Sequence, residues 1–383
     1  MPKMPKTFNK NITTRWACVS FMGIGLMTAV MTACRQPPQY GDIQGETMGT
    51  SYHIRYQLPK TAQATDVDIK VAVDQRLEQV NASMSTYQQD SLISKFNRLP
   101  ANTPMTVDAD FIKVLTDSQQ VYQDSQGAFD PTIMPLVELW GFGTSRRIDR
   151  LQNPPSDADI ATAKSLLNFH GITLKQDQLS KNQDGVALDF SAIAKGYGVD
   201  VIADVLATDF HIDNYMVEIG GEVATSGINE QGQGWQIGID APILHSSVSN
   251  RQTLAAIKQP VNEQKQGNMH LATSGNYRNS VVYDNVRHSH TIDPTTGKPI
   301  VGGASSVTVV AKSVALADGW ATALTAMPYD KAWQLANEQG LAVLFVIPKN
   351  DSDINADSHQ PDDWQITQTP VMQALRAGGK VSR

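Results

Sequence analysis

Apolar positions along the chain recur with two periods, and the switches between them outline its elements. Met48 to Tyr56 alternates as a strand entered through Gly49. Val73, Leu77, Val80 and Met84 follow at helical spacing, and so do Phe111, Val114, Leu115, Val121 and Tyr122. Gly127 to Thr132 is a turn built around Asp130-Pro131. The glycines of Leu136 to Gly143 stop a regular helix from continuing, and Asp157 to Leu167 predicts another helix. Val186, Leu188 and Phe190 alternate as a half-buried strand. Ser191 then stands where a cap is expected, and Val199, Ile202, Val205 and Leu206 run on as a helix. Strand pieces at 217–219 and 222–224 are broken by Gly220-Gly221, and Trp235 to Ile239 alternates again. Further strands are expected at Leu254 to Ile257, Val307 to Val310 and Leu341 to Ile347, with helices at Ala315 to Met327 and Tyr329 to Gly340.

Polar stretches separate these elements. Residues 35–45 read as a tether, 144–155 as a surface loop, and Leu271 to Asn279 as a segment dense in turn formers. Polar loops are expected near 244–268 and 349–363, and no internal repeat is visible. The mixture of periods predicts an α+β fold, a largely antiparallel sheet with packed helices.

The first 33 residues break the pattern. Lys3, Lys6, Lys10 and Arg15 precede an uncharged run from Trp16 to Ala33 that ends at Met31-Thr32-Ala33-Cys34. This is the layout of a lipoprotein signal peptide over 1–33, with Cys34 as the lipidated N-terminus of a tether over 34–45. Ser20, Gly23, Gly25 and Thr28 dilute the run below what a retained membrane helix needs. Arg35 after the cysteine favours the outer membrane, periplasmic side, of a Gram-negative cell. Cys18 and Cys34 are the two cysteines, so the expected mature chain has no disulfide, thiol nucleophile or cysteine metal site. Four of the 31 basic residues and none of the 38 acidic ones lie in the leader, so the remainder is more acidic than the whole chain's −7. No nucleic-acid partner is expected, and nothing asks for a second copy.

The chemistry is spread out. Lys195 sits in the first turn of a predicted helix, where the macrodipole favours anions, with Asp189 just before it. A phosphate with its metal suits that place; a solvent-facing lysine is the plainer alternative. Asp318 and Thr322, four apart, share a helix face and suit a hard cation such as Mg²⁺, unless Thr322 only bonds back to the preceding turn. His290 and Asp293 form a base and its partner, or cap a turn. Tyr87 is core or a stacking platform, and Gly220-Gly221 is a ligand approach or a tight bend. No zincin helix, phosphate loop, nucleophile elbow or dinucleotide fingerprint occurs. What remains suits a phosphoanhydride bound with Mg²⁺.

In one order along the chain stand Met48-Gly49-Thr50, Ser85-Thr86-Tyr87, Ala128-Phe129-Asp130-Pro131-Thr132 with Leu139-Trp140-Gly141-Phe142-Gly143, Asp189 to Tyr197, and Glu218-Ile219-Gly220-Gly221-Glu222. Ala272-Thr273-Ser274-Gly275, His290-Thr291-Ile292-Asp293-Pro294 and Ala317 to Thr322 complete the series. Together they closely resemble the FAD:protein FMN transferase (ApbE) family, from about Gly45 to Ile347. The resemblance implies a T-fold-like core, one flavin transferase domain over 46–383, and transfer of FMN from FAD to a threonine or serine of a flavoprotein, with release of AMP. It implies that Met48, Tyr87, Ala128, Phe129, Asp130, Asp189, Lys195 and Ile292 contact FAD. Mg²⁺ would be held by the Ala192 carbonyl with Asp318 and Thr322; some members carry an aspartate where this chain has Ala321. His290 would take the acceptor's proton and Asp293 orient it. Acceptors in the family are subunits of sodium-pumping and electron-transport complexes. Hydrolysis of FAD to FMN and AMP, and plain flavin binding, are the competing readings.

Overall fold

The computed structural model describes residues 39–143, 153–243, 252–276, 280–283, 286–349 and 361–378. The expected signal peptide, Cys34 and most of the loop at 144–155 lie outside them. Among the described residues no helix is long and apolar enough to cross a membrane.

Eight strands form the central sheet: β1 (Tyr40–Thr47), β2 (Thr50–Gln57), β3 (Tyr215–Ile219), β4 (Glu222–Ser226), β5 (Asn268–Gly275), β6 (Ser306–Ala311), β7 (Ala342–Pro348) and β8 (Trp364–Gln368). Their order in the sheet is their order in the chain, and every neighbouring pair is antiparallel. The helices are inserted at two places. Between β2 and β3 come α1 (Asp66–Met84), α2 (Leu92–Arg98), α3 (Ala109–Asp124), α4 (Met134–Leu139), α5 (Asp157–Lys164) and α6 (Ala194–Asp204). Between β6 and β7 come α7 (Val314–Thr325) and α8 (Tyr329–Glu338), and α9 (Pro370–Arg376) follows β8. The topology thus repeats hairpin, helices, hairpin, although no repeat shows in the sequence.

Alternation sets the two faces. Val307, Val309, Val343 and Phe345 point to the helices, packing with Phe111, Ala317 and Trp320. Leu271, Val310, Leu344 and Val346 point the other way, under the hairpin 236–258 and α9. The expected strands at 235–239 and 254–257 are this hairpin.

Three sequence expectations are corrected. Residues 40–45 are not tether but the start of β1. Its glycines leave room for rings: a Cβ on Gly41 would stand 2.3 Å from the Tyr56 ring, and one on Gly45 2.5 Å from that of Tyr52, each directly across the pair. Leu271 to Gly275, expected as turns, is a central strand, whose Thr273 and Thr308 hydroxyls bond across it at 2.9 Å. Residues 186–190, expected as a strand, are irregular and join no sheet. Asn97 supplies the missing partner, its amide donating to Leu188 O (2.8 Å) and its oxygen accepting from Leu188 N (2.7 Å).

Helices α6 and α7 cross closely. A Cβ on Gly196 would meet Val314 O at 2.4 Å and Ala315 Cα at 2.8 Å, both backbone. Asp200 of α6 fixes the same approach, accepting from Val314 N and Ala315 N at 2.9 Å each. Gly196→Ala is therefore expected to cost about 2 kcal/mol, typical of overpacking against atoms that cannot move. Gly198→Ala, whose Cβ would come within 3 Å of one atom, the far end of the flexible Met48 side chain at 2.9 Å, with Ile219 Cδ1 in ordinary contact at 3.4 Å, should cost less than half of that. Urea midpoints of the two variants check it; equal losses would show that the helix crossing is not set at Gly196.

Candidate active site

The segment from Asp189 to Gly196 is built to leave polar atoms unspent. Asp189 N donates to Pro131 O (2.8 Å), which ties it to the Asp130 turn, and Asp189 Oδ1 accepts from Ser191 N (2.8 Å). That bond takes Ser191 away from the capping role expected of it: α6 begins at Ala194, and its N-cap is Ile193, with no side-chain cap. Gly196 N donates to Asp318 Oδ2 (3.1 Å) instead of closing back on Ala192 O. Among the described residues the Ala192 carbonyl is thereby left for another partner.

Lys195 does not reach out to solvent. Its Nζ lies 2.8 Å from Glu222 Oε1 and 3.6 Å from Asp318 Oδ1. Both carboxylates are buried, and among the described residues Glu222 Oε2 has no hydrogen-bond partner. Burial raises the Glu222 and Asp318 carboxyls above the ordinary carboxylate range, against the opposing pull of Lys195. Burial alone would lower the Lys195 ammonium, but Asp318 and Glu222 outweigh it and its pKa lies above the ordinary lysine value. One cation faces two carboxylates.

Asp318 and Thr322 share a face of α7 as expected. The back-bond foreseen for Thr322 is made by Thr325 instead, to Ala321 O at 2.6 Å; among the described residues Thr322 Oγ1 has none. Ala321 is fully buried and offers no side-chain oxygen. Among the described residues no group of three or more histidine, cysteine, aspartate or glutamate side chains could hold a metal. The available donors are one carboxylate, a hydroxyl and a carbonyl, all hard oxygens. Such a set suits Mg²⁺, which keeps waters and takes phosphate oxygens to complete its shell.

The other expected contacts surround this cluster. Met48 and Gly49, at φ +50° and +73°, form the two-residue turn between β1 and β2, and the Met48 side chain lies against Gly198 of α6. A non-glycine residue in that conformation costs about 1 kcal/mol, which Met48 bears where asparagine or glycine would be easier. Asp130 is half-buried, and its desolvation raises its carboxyl; its Oδ1 accepts from Thr132 N and Thr132 Oγ1. Burial likewise raises Asp189. Asp130 borders a cleft of ≈ 300 Å³ with Tyr122, Gly127, Lys164, Pro294 and Thr295. Phe129 is buried and Ala128 half-buried behind it. Tyr87 is 72% exposed, which removes the core reading and leaves its ring open to a planar partner.

His290 lies half-buried between the strand 286–289 and the short strand 292–293. Asp293 Oδ1 accepts from Thr295 N (2.8 Å), the turn-capping alternative, and Gly297 N closes on Asp293 O at 2.8 Å. Trp140 Nε1 donates to Gly297 O (2.8 Å), and Lys164 donates to Thr295 O. Ile292 packs with Leu136, Trp140 and Ile160, so the histidine turn is anchored against α4 and α5 beside the Asp130 cleft. The structure thus draws Asp130, Asp189, Ala192, Lys195, Asp318 and Thr322 into bonded or adjacent positions, and joins the 290–297 turn to them through the cleft.

Two contributors escaped the sequence reading. Glu222 stood only as part of a glycine-flanked strand, though a glutamate starting an otherwise apolar strand is a signal. Asn97 carried none, because its role depends on a segment 91 residues away.

The ApbE family model matches residues 48–345. An FAD:protein FMN transferase of Vibrio cholerae serotype O1 is 38% identical over 322 residues, 84% of this chain and 92% of the relative. The solved flavin transferase ApbE from Vibrio cholerae superposes with TM-score 0.73 at 36% identity, over 87% of this chain and 98% of that one. The apo flavinyl transferase ApbE of Pseudomonas stutzeri superposes with TM-score 0.75 at 31% identity, over 91% and 99%. A match of this extent makes the chain a member of the ApbE family.

Proposed function

We propose that this protein transfers FMN from FAD to a threonine or serine hydroxyl of a target flavoprotein, forming a phosphoester and releasing AMP. The observation that carries the reading is the Lys195, Glu222 and Asp318 cluster: two buried carboxylates sharing one ammonium, beside an unspent carbonyl and hydroxyl. Family membership and relatives named FAD:protein FMN transferase support it.

In this reading Met48, Tyr87, Ala128, Phe129, Asp130, Asp189 and Ile292 hold FAD, and Lys195 faces its diphosphate. Ala192 O, Asp318 and Thr322 hold Mg²⁺, which when bound neutralises charge on the diphosphate and makes AMP a better leaving group. His290 accepts the proton as the acceptor oxygen attacks the FMN phosphorus. The new bond is P–O to the acceptor; the bond broken is P–O to AMP, which leaves with the bridging oxygen. With Asp293 engaged at Thr295, its part is to fix the turn that carries His290. We further propose that Cys34 is lipidated and holds the enzyme on the periplasmic side of the outer membrane, where the acceptor is a subunit of an electron-transport complex. The cysteine-ended leader supports this, and a Cys34→Ser variant should lose labelled palmitate and partition with the soluble fraction.

Incubation of the protein with FAD, Mg²⁺ and an acceptor domain should give covalent flavin fluorescence in a denaturing gel and AMP in equal amount. EDTA should abolish both. AMP without fluorescent protein would move the reading to hydrolysis, and neither product to flavin binding alone. His290→Ala should slow single-turnover transfer by about 10²- to 10⁴-fold, with FAD affinity kept within about twofold. Transfer at the wild-type rate would place the base elsewhere.

A further inference from the structure

The flavin-transfer reading leaves Glu222 without a task, yet its placement is elaborate. It begins β4 directly after the two-residue turn Gly220-Gly221, at φ +63° and +109°. A Cβ on Gly220 would stand 2.8 Å from Thr50 Cγ2. Glu218 Oε1 braces the turn from the opposite face, accepting from Gly221 N at 2.7 Å. The result is a carboxylate 2% exposed, with one oxygen on Lys195 and the other unpartnered among the described residues. Burying such a group is costly unless something depends on it.

The distances indicate what depends on it. Lys195 Nζ is bonded to Glu222 at 2.8 Å and stands off from Asp318 Oδ1 at 3.6 Å. Asp318 Oδ2 accepts from Gly196 N, so Oδ1 is the oxygen left for a cation. If Glu222 were absent, the nearest anion to the ammonium would be Asp318, and a closed Lys195–Asp318 pair would occupy that oxygen.

Resting on the flavin-transfer reading, we propose that Glu222 is a positioning residue for the reaction. It holds the Lys195 ammonium off Asp318, keeping Asp318 open to the divalent cation and the ammonium turned to the diphosphate. Glu222 acts through Lys195 and is not itself a ligand of the metal.

The test measures the Mg²⁺ concentration that half-saturates FAD binding, read by quenching of flavin fluorescence on the purified protein without acceptor. Glu222→Gln should raise it about tenfold, the usual size of a charged hydrogen-bond partner lost. FAD affinity at saturating Mg²⁺ should change by less than about threefold. Glu222→Asp keeps the charge but withdraws it by one methylene, and should also raise the Mg²⁺ requirement; it serves as well if the glutamine variant does not fold. In a Lys195→Met background, Glu222→Gln should produce no further rise. An equal rise with and without Lys195 would reveal a simple field effect and overturn the proposal. So would an unchanged requirement in both single variants, or an equal loss of FAD affinity at saturating Mg²⁺. A wild-type protein whose FAD binding ignores Mg²⁺ would instead overturn the flavin-transfer reading beneath it.

Discussion

The sharing of one ammonium between two buried carboxylates governs this structure. At an effective dielectric of about 20, each contact of Lys195 is worth about 4 to 6 kcal/mol of attraction. Taking each ion from water costs several kcal/mol, so the cluster about breaks even and does not account for the stability of the fold. It accounts for the geometry around it. Lys195 and Asp318 meet only because α6 and α7 cross where Gly196 has no side chain, and Glu222 arrives only because Gly220-Gly221 turns within two residues. Asp200, accepting from the first two N–H groups of α7, secures the crossing from one turn further along.

The sheet makes these meetings possible. Because the strands lie side by side in chain order, each hairpin is local, and the helices inserted between β2 and β3 and between β6 and β7 fall on the same face. Helices from the two insertions then pack on one another, α6 and α3 against α7. The cluster sits at that seam: Lys195 comes from the first insertion, Asp318 from the second and Glu222 from the start of the central strand β4. Local pairing builds the frame, and one long-range contact between insertions completes the site.

How much of this was legible follows from which signals are local. Helices at 66–84, 109–124, 157–164 and 314–325, and the buried strands at 306–311 and 342–348, follow from periodicity because burial on one face dictates it. The glycines of β1 misled because glycine reads as linker until the tyrosine rings lying across it are known. Leu271 to Gly275 misled because this strand carries threonine, serine and glycine where a core strand carries valine, its Thr273 hydroxyl satisfied across the sheet by Thr308. The repeat of hairpin, helices and hairpin was invisible because it resides in pairing order, while the insertions differ in length and sequence. Lys195 and Asp318 were visible as unusual residues in helical context; that they meet at one glutamate was not, since no local pattern encodes the contact.

The irregular segment 186–193 shows why such a site resists reading from periodicity. A strand or helix uses nearly every backbone N–H and C=O on itself, leaving none for a ligand. Here the backbone is satisfied selectively. Asn97 takes both groups of Leu188, and the buried Lys181 ammonium donates to Val186 O (2.7 Å) and Asn97 O (3.0 Å) while lying 5.2 Å from the Phe96 ring centroid. Burial lowers the pKa of Lys181, the expense of using a side chain where a strand partner would ordinarily serve. Asp318 then takes the N–H of Gly196. Rigidity is thus supplied by side chains from α2, the strand 178–181 and α7, and among the described residues Ala192 O is one of the backbone groups spared. A regular element would have been easier to recognise and would have spent that carbonyl on its own fourth neighbour.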